Sequence, residues 1–148
     1  MVKRFVAFDQ DADSLKVIKQ RCKEIEIECV ESSIKMLLTK KHILGNFDVV
    51  YVAGLYDYLT PKVATSLTER LFELLNPGGA MLYANFATNI DDVGYMEACM
   101  DWWLTYRSSN ETWELAKNID GDMIESYRRY NDPDENIHFV QINKSSVA

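Results

Sequence analysis

Residues 60–86, TPKVATSLTERLFELLNPGGAMLYANF, contain a helix start, a helix end and a strand in direct succession. Threonine suits the cap position and proline the first helical position, so Thr60-Pro61 predicts the start of a helix. The apolar side chains that recur at helical spacing are Val63, Leu67, Leu71 and Leu74/Leu75. Residues 76–79 (NPGG) end the helix, and the unbroken apolar run at 80–86 (AMLYANF) predicts a strand covered on both faces. A helix that leads into a buried strand in this way indicates an α/β fold.

Three further strand signals precede this unit. Residues 4–8 (RFVAF) form a short apolar run that predicts a buried strand. Residues 25–30 alternate between apolar residues and glutamate, so one face of this strand is expected to be wet, as at the edge of a sheet. Residues 47–53 (FDVVYVA) are apolar without alternation, which predicts a central strand covered on both faces.

Amphipathic segments between and after the strands predict four further helices. Asp11 or Asp13 can cap the first, and residues 34–43 form the second. An aromatic-rich segment at 93–107 predicts the third, and residues 108–118, which open with a Ser-x-x-Glu capping box, predict the last.

The C-terminal part of the chain changes character. Residues 123–130 and 137–142 are strand-like, and only the turn-rich segment 131–135 (NDPDE) separates them. Because this connection is too short for a crossover helix, the two strands must be antiparallel. The sequence therefore predicts one α/β domain over residues 1–148, with a Rossmann-like, mostly parallel sheet, helices on both of its faces and a C-terminal antiparallel hairpin.

Composition excludes several classes of function. The net charge of −7, without a basic face, disfavours nucleic acid and anionic membranes as partners. Cys22, Cys29 and Cys99 are odd in number and lie in apolar patterns, which predicts buried, reduced thiols. No cysteine or histidine spacing matches a zinc site, so no metal is expected. Because no apolar signal segment or run of membrane-spanning length is present, the cytoplasm is the expected location.

Three motifs, in this order, resemble those of class I S-adenosylmethionine-dependent methyltransferases. An acidic residue ends the second strand of that family's sheet, and Asp9 stands there in this chain. Phe47-Asp48 matches the opening of the family's fourth strand, and residues 75–79 (LNPGG) match the Leu-x-Pro-Gly-Gly motif before its fifth.

The chain departs from the family at its start. The family's sheet begins with a strand that leads into a G-x-G-x-G loop, and neither that strand nor the following helix is found here. The glycines of this sequence are Gly45, Gly54, Gly78, Gly79, Gly94 and Gly121, and none forms such a loop. Without it the backbone loses the close approach to a ligand that only glycine permits, so cofactor binding is expected to be weakened.

The resemblance implies S-adenosylmethionine as the cofactor and assigns its contacts to six residues. They are Asp9, Gln10, Ser32, Ser33, Ala53 and Gly54. Asp9 would hold the ribose, since a carboxylate beyond the carboxyl end of a parallel strand can accept hydrogen bonds from both hydroxyls. Gln10, Ser32 and Ser33 would flank the adenine. Ala53 and Gly54 would lie at the transferred methyl group. The structural alternatives are a helix-capping aspartate, polar loop residues and a turn glycine.

A narrower resemblance concerns the methyl acceptor. Residues 54–59 (GLYDYL) and 101–107 (DWWLTYR) are similar to bacterial enzymes that methylate long 3-hydroxy fatty acids. This resemblance implies an acceptor pocket, with Arg107 holding the carboxylate. The residues it assigns to the pocket are Tyr56, Asp57, Tyr58, Trp103, Tyr106 and Arg107. Aromatic residues at helical spacing are more often core residues, which is the alternative interpretation.

The expected chemistry asks little of the side chains. The sulfonium activates the methyl group, so catalysis is mainly alignment for in-line displacement. A carboxylate acceptor is already ionised, whereas an alcohol would need a base, for which Asp57 or His138 is a candidate. No catalytic residue is assigned.

The sequence thus favours a methyltransferase acting on a small molecule, with the carboxylate of a hydroxy fatty acid as the acceptor that the narrower resemblance implies. The alternative is a truncated or degenerate module of the same fold that serves interaction or assembly without catalysis. A nicotinamide-binding domain shares the acidic residue after the second strand, but the Leu-x-Pro-Gly-Gly motif and the hairpin disfavour it. Because the family's first strand is missing, the edges at 4–8 and 47–53 lack their shared neighbour. Three outcomes are open: the two strands pair directly with each other, a second copy supplies the pairing, or the first segment stays loose. Self-association into a homo-oligomer is the outcome that we favour.

Overall fold

The strands lie in two sheets, one in each of the two units into which the chain divides. The computed structural model describes residues 2–23, 26–39 and 44–147. The first unit is Met1–Ile43 and the second is Leu44–Ala148. Parallel strand pairs and a C-terminal antiparallel hairpin confirm the predicted α/β class. In these described ranges, no helix has the length and apolar character needed to cross a membrane.

The first unit is a strand–helix–strand motif followed by a short helix. Its elements are β1 (Phe5–Asp9), α1 (Ala12–Arg21), β2 (Ile27–Glu31) and α2 (Ile34–Leu38). β1 and β2 pair in parallel from Phe5↔Ile27 to Asp9↔Glu31, so both strands end at the same edge of their sheet. Asp11 caps α1, because its carboxylate accepts hydrogen bonds from the backbone N–H groups of Asp13 and Ser14.

Several details of the first unit differ from the sequence predictions. The exposure of Glu26 and Glu28 confirms the wet face of the second strand, whereas β1 is half-buried and not buried. α2 ends at Leu38, and the N–H of Thr39 donates to the carbonyls of Lys35 and Leu37 in its last turn. The remainder of the predicted helix at 40–43 lies outside the described residues, as do residues 24–25.

The prediction of buried thiols is wrong for two of the three cysteines. Cys22 and Cys99 are exposed, and Cys29 is half-buried. Cys22 directly follows the last residue of α1 and lies outside the helix. Its side chain is therefore not held on the helix face that buries Leu15.

The second unit contains a four-stranded sheet in the order β3-β4-β6-β5. Its elements are β3 (Phe47–Val52), α3 (Pro61–Glu73), β4 (Leu75–Phe86), α4 (Val93–Met100), α5 (Ser109–Glu114), β5 (Ile124–Asn131) and β6 (Ile137–Lys144), with short 3-10 turns at Tyr56–Tyr58 and Gly121–Met123. β3 and β4 are parallel, and the other two pairs are antiparallel. α3 begins at Pro61 as predicted, although the Thr60 side chain makes no capping hydrogen bond.

One face of this sheet holds the core of the second unit. Tyr83 of β4 is fully buried, stacks on Tyr56 with 4.9 Å between ring centroids and donates to the carbonyl of Thr112 in α5. The Tyr56 hydroxyl lies 2.9 Å from Oγ1 of Thr68 in α3. Because α3 and α5 both contact the same pair of tyrosines, they cover the same face of the sheet.

β3 is an edge strand, and the prediction that it is covered on both faces is wrong. Val49 and Tyr51, which point to the face opposite Tyr83, are 64% and 60% exposed. An unbroken apolar run shows that a strand is able to be buried, but not that a neighbour covers it.

The Leu-x-Pro-Gly-Gly motif starts β4 and ties it to β3. The strand begins at Leu75, five residues before the predicted start, because Phe47 already pairs with Leu75. The Asn76 side-chain amide donates to the Asp48 carboxylate over 2.8 Å. A Cβ atom at Gly79 would lie 2.9 Å from the backbone carbonyl oxygen of Asn76 and 3.1 Å from that of Asp48, so glycine fits here without displacing backbone.

The aromatic segment at 93–107 is not one helix. α4 ends at Met100, and Asp101 adopts a left-handed backbone conformation with φ 53°. The N–H groups of Asp101 and Trp102 both bond to the Met96 carbonyl, a closure that ends the helix. Residues 101–108 therefore continue without regular structure until the Ser108 capping box, which is formed as predicted.

Candidate functional site

In the first unit, the residues assigned to the cofactor ribose and adenine lie at the carboxyl end of the parallel pair. Asp9 ends β1, and its backbone carbonyl accepts the N–H of Ser32 over 2.9 Å, which holds the two strand ends together. Gln10 is exposed, and the Ser33 side chain caps α2 by accepting the Met36 N–H over 3.4 Å. The structure thus brings all four assigned residues of this unit to one edge of the sheet.

The Asp9 carboxylate is exposed and does not serve as the helix cap. Its Oδ1 accepts the N–H of Asp11 over 2.9 Å, and Asp11 itself caps α1. Asp9 is exposed, and within the described residues this is the one hydrogen bond that its side chain accepts. A carboxylate held in this way has lone pairs left for the hydroxyls of a sugar.

In the second unit, Ala53 and Gly54 follow β3 at its carboxyl end. Gly54 has φ +72°, a conformation that favours glycine, and a Cβ atom added there would meet nothing within 4 Å. The backbone of this turn therefore borders open space.

Arg107 holds the segment that follows Gly54. Its guanidinium donates to the backbone carbonyls of Tyr56 over 2.9 Å and Leu59 over 2.6 Å, and also to Oδ1 of Asn85. Arg107 is only 3% exposed, and burial lowers the pKa of its guanidinium while the nearby Asp57 carboxylate raises it. These donors already bond to the protein, so Arg107 lies within the framework of this segment, and its contact with a substrate carboxylate stays a prediction.

Asp57 fastens the same segment to the end of β4. Its Oδ1 accepts the Phe86 N–H over 2.7 Å, and its backbone carbonyl accepts the Thr105 N–H over 2.7 Å. Burial raises the pKa of the Asp57 carboxyl, against the opposing effects of the Phe86 N–H and the Arg107 charge. Asp57 is therefore a buried part of the framework and not an open pocket wall.

The other residues assigned to the acceptor pocket fall into two groups. Tyr56 is fully buried between Thr68 and Tyr83 and belongs to the core of the second unit. Tyr58 and Trp103 are 59% and 67% exposed, and the Trp103 indole donates to the Asp101 carboxylate over 2.7 Å.

The exposure of Tyr106 lies between that of the buried Tyr56 and that of the exposed Tyr58 and Trp103. Its hydroxyl is buried and has no hydrogen-bond partner among the described residues. Burial raises the pKa of this hydroxyl, and the negative charges of Glu97 and Asp57 raise it further.

Asn85 is a member of this network that sequence reasoning missed. Its side chain accepts from Arg107 and donates to the carbonyls of Thr105 over 2.9 Å and Phe86 over 3.0 Å. The available signal was a single amide side chain inside the apolar run 80–86, because a buried polar residue needs partners.

His138, one of the two candidate bases, lies on β6 directly opposite Asn85 of β4. Its Nδ1 is 2.7 Å from Oδ1 of Asn131, and burial lowers the pKa of its imidazole. Within the described residues, no group of three His, Cys, Asp or Glu side chains is placed to hold a metal ion.

Comparison with known proteins identifies the fold. No protein-family model and no curated protein matches the sequence. Among solved structures, the chain is similar to a possible exported protein from Bordetella parapertussis, with TM-score 0.72, 16% identity, and coverage of 96% of this chain and 53% of that one. It is also similar to the S-adenosylmethionine-dependent methyltransferase SibL in its apo form, with TM-score 0.69, 17% identity, and coverage of 96% and 43%.

A third similar structure contains a bound ligand. It is the N-methyltransferase NodS from Bradyrhizobium japonicum in complex with S-adenosyl-L-homocysteine, with TM-score 0.66, 16% identity, and coverage of 96% of this chain and 67% of that one. The chain spans about half the length of the first two proteins. Its mixed α/β fold is similar to that of these three proteins, of which SibL and NodS are methyltransferases.

The residues present fit part of S-adenosylmethionine. In the first unit, the exposed Asp9 carboxylate suits a ribose. In the second unit, taken by itself, the open turn at Gly54 leaves room for a ligand to approach the backbone. A glycine-rich loop that would approach the methionine part is absent from the sequence.

Proposed function

We propose that this chain serves methyl transfer from S-adenosylmethionine to a small molecule. The observation that carries the proposal is the solvent-facing Asp9 carboxylate at the end of a parallel strand, within a methyltransferase fold that extends over nearly the whole chain. S-adenosylmethionine supplies a methyl group already activated by its sulfonium.

The residues of the chain would then bind and orient the reactants. Asp9 would accept the ribose hydroxyls, with Gln10, Ser32 and Ser33 beside the adenine. Ala53 and Gly54 would leave room for the methyl group at the end of β3.

The acceptor is proposed to have an apolar body that packs on exposed aromatic side chains. Tyr58 and Trp103 are the basis of this proposal, because their exposed rings offer apolar surface on which such a body can pack. A fatty-acid carboxylate would require a cation, and the Arg107 guanidinium already bonds to Tyr56, Leu59 and Asn85. An alcohol or amine acceptor needs no such cation.

We also place the protein in the cytoplasm. The support for this location is that Cys22, Cys29 and Cys99 are all free thiols, as is usual where thioredoxin and glutathione keep cysteines reduced.

Isothermal titration of the purified chain with S-adenosylhomocysteine tests the cofactor part of the proposal. We expect saturable binding weaker than low micromolar, because the methionine end lacks its glycine loop. A folded chain that shows no binding up to about 1 mM ligand, roughly −4 kcal/mol, would overturn the proposal. That outcome would favour the alternative of a non-catalytic module for assembly.

A further inference from the structure

The two edges of the four-stranded sheet differ in chemistry. β3 forms one edge and β5 the other, and no further strand pairs with either in the described part of the chain. β5 carries Glu125, Arg128 and Arg129 on its exposed length, and such charges are a common means of blocking an edge.

β3 has no such protection. It contains no lysine, arginine or proline, and its one charged residue, Asp48, stands near its start and is bonded to Asn76. From Val49 to Val52 the strand is entirely apolar or aromatic, and Val49 and Tyr51 are 64% and 60% exposed. An edge strand that is apolar, exposed and uncharged is a template for pairing with another strand.

The sequence of β3 is complementary to itself. If two copies pair antiparallel about a two-fold axis at Val50, Val49 lies opposite Tyr51 of the second copy, and Asp48 lies opposite Val52. Pairs of an aromatic and a β-branched residue are favourable across strands, and no like charges meet in this register. Such pairing is isologous and closes at a dimer.

We propose that the free edge of β3 pairs antiparallel with β3 of a second copy of this chain, in the register centred on Val50. Two four-stranded sheets then join into one continuous sheet. On the face opposite Tyr83, Val49 then packs beside Tyr51 of the partner, and Tyr51 beside the partner's Val49. This pairing does not depend on cofactor binding.

Sedimentation velocity from about 1 to 100 µM measures the self-association, a range that covers Kd values of weak and tight dimers. We expect the natural chain to dimerise within this range. In the double variant V49K/Y51K, Lys at 49 of each copy lies opposite Lys at 51 of the other. Because these like charges repel, the dimer Kd should rise at least about tenfold. The variant V49K/Y51E removes the same two apolar side chains but places opposite charges face to face, and it should dimerise more tightly than V49K/Y51K.

Glu125→Lys on β5 is the matched control, because it changes the net charge by the same two units at the other edge. It should leave the dimer Kd within about twofold of the natural chain. Circular dichroism of each variant verifies that it is folded.

Either of two results would overturn the proposal. The first is a natural chain that stays monomeric throughout the range, and amide exchange would then show whether another segment protects β3. The second is equal association of V49K/Y51K and V49K/Y51E, which would place the interface away from the proposed register.

Discussion

The guanidinium of Arg107 donates to the backbone carbonyl of Leu59 over 2.6 Å, although 48 residues separate them in the chain. The same side chain bonds to the Tyr56 carbonyl and to Asn85. A single buried cation therefore sets the path of the segment that follows Gly54.

Arg107→Ala should strongly destabilise the second unit. It leaves the Tyr56 and Leu59 carbonyls and the Asn85 side chain without their donor, and each buried unsatisfied group costs on the order of 1–3 kcal/mol. We expect urea denaturation to show a loss of about 3–5 kcal/mol in unfolding free energy. Arg128→Ala, an exposed arginine on β5, is the control and should change it by less than about 1 kcal/mol. A loss for Arg107→Ala as small as that of the control would contradict this role.

The buried Asp57 carboxyl should make stability fall as pH rises. Its pKa is raised in the folded state, so its stabilising contribution is complete below the unfolded value of 3.8. That contribution is lost as pH rises through the folded pKa. The difference in unfolding free energy between the natural chain and Asp57→Asn should therefore decrease with pH above about 4.

Asp11→Asn is the opposite control for this experiment. Hydrogen bonds from Ser14 and Asp13 lower the pKa of the Asp11 carboxyl, so its contribution is present above 3.8 and is lost as pH falls. Difference profiles with the same slope for both substitutions would contradict the assignment of Asp57.

Asp9→Ala should weaken binding of S-adenosylhomocysteine by about 1.5–3 kcal/mol, the range for hydrogen bonds to a charged group. Calorimetry at high protein concentration measures the change, and Asp13→Ala is the control because its carboxylate forms only an exposed pair with Lys16. Unchanged affinity for Asp9→Ala would remove Asp9 from the site. Binding by the natural chain at low micromolar Kd would contradict the expected effect of the missing glycine loop.

Gly79→Ala should destabilise the second unit by about 1–3 kcal/mol, because the new methyl group meets backbone that cannot move aside. Its Cβ would lie 2.9 Å from the Asn76 carbonyl oxygen and 3.2 Å from that of Phe47. Gly94→Ala is the matched control in α4, where a Cβ meets nothing within 4 Å. Gly94→Ala should stabilise the helix by about 0.5–1 kcal/mol. Thermal melts compare the two variants, and a lower melting temperature for Gly94→Ala than for Gly79→Ala would contradict the prediction.

The ion pair between Arg4 and Glu28 should contribute little. Both side chains are about half exposed and 2.8 Å apart, so Glu28→Lys should lower the unfolding free energy by roughly 1 kcal/mol or less. Glu26→Lys, on the same exposed face, should change it by less than about 0.5 kcal/mol. A large loss for either would mean that this face of β2 is covered in solution.

Local signals in the sequence determined the order and type of the elements. Pro61 begins a helix because its ring favours the first helical position, and the Ser108 capping box forms within four residues. The antiparallel pairing of β5 and β6 was predicted from their connection, which is too short for a crossover helix. Each of these depends on interactions among residues that are close in sequence.

Only the tertiary structure decided which surfaces are covered and which polar groups meet. β3 is an edge strand because its second neighbour is not supplied within its sheet, and no pattern inside 47–53 reports that. From the sequence alone, Arg107 was assigned to a substrate because no residue near it in the chain indicates another partner. Its partners in the structure are Tyr56, Leu59 and Asn85, which lie 22 to 51 residues away in sequence. A hydrophobic pattern specifies what a segment can bury, whereas the partner that buries it is set by contacts between distant parts of the chain.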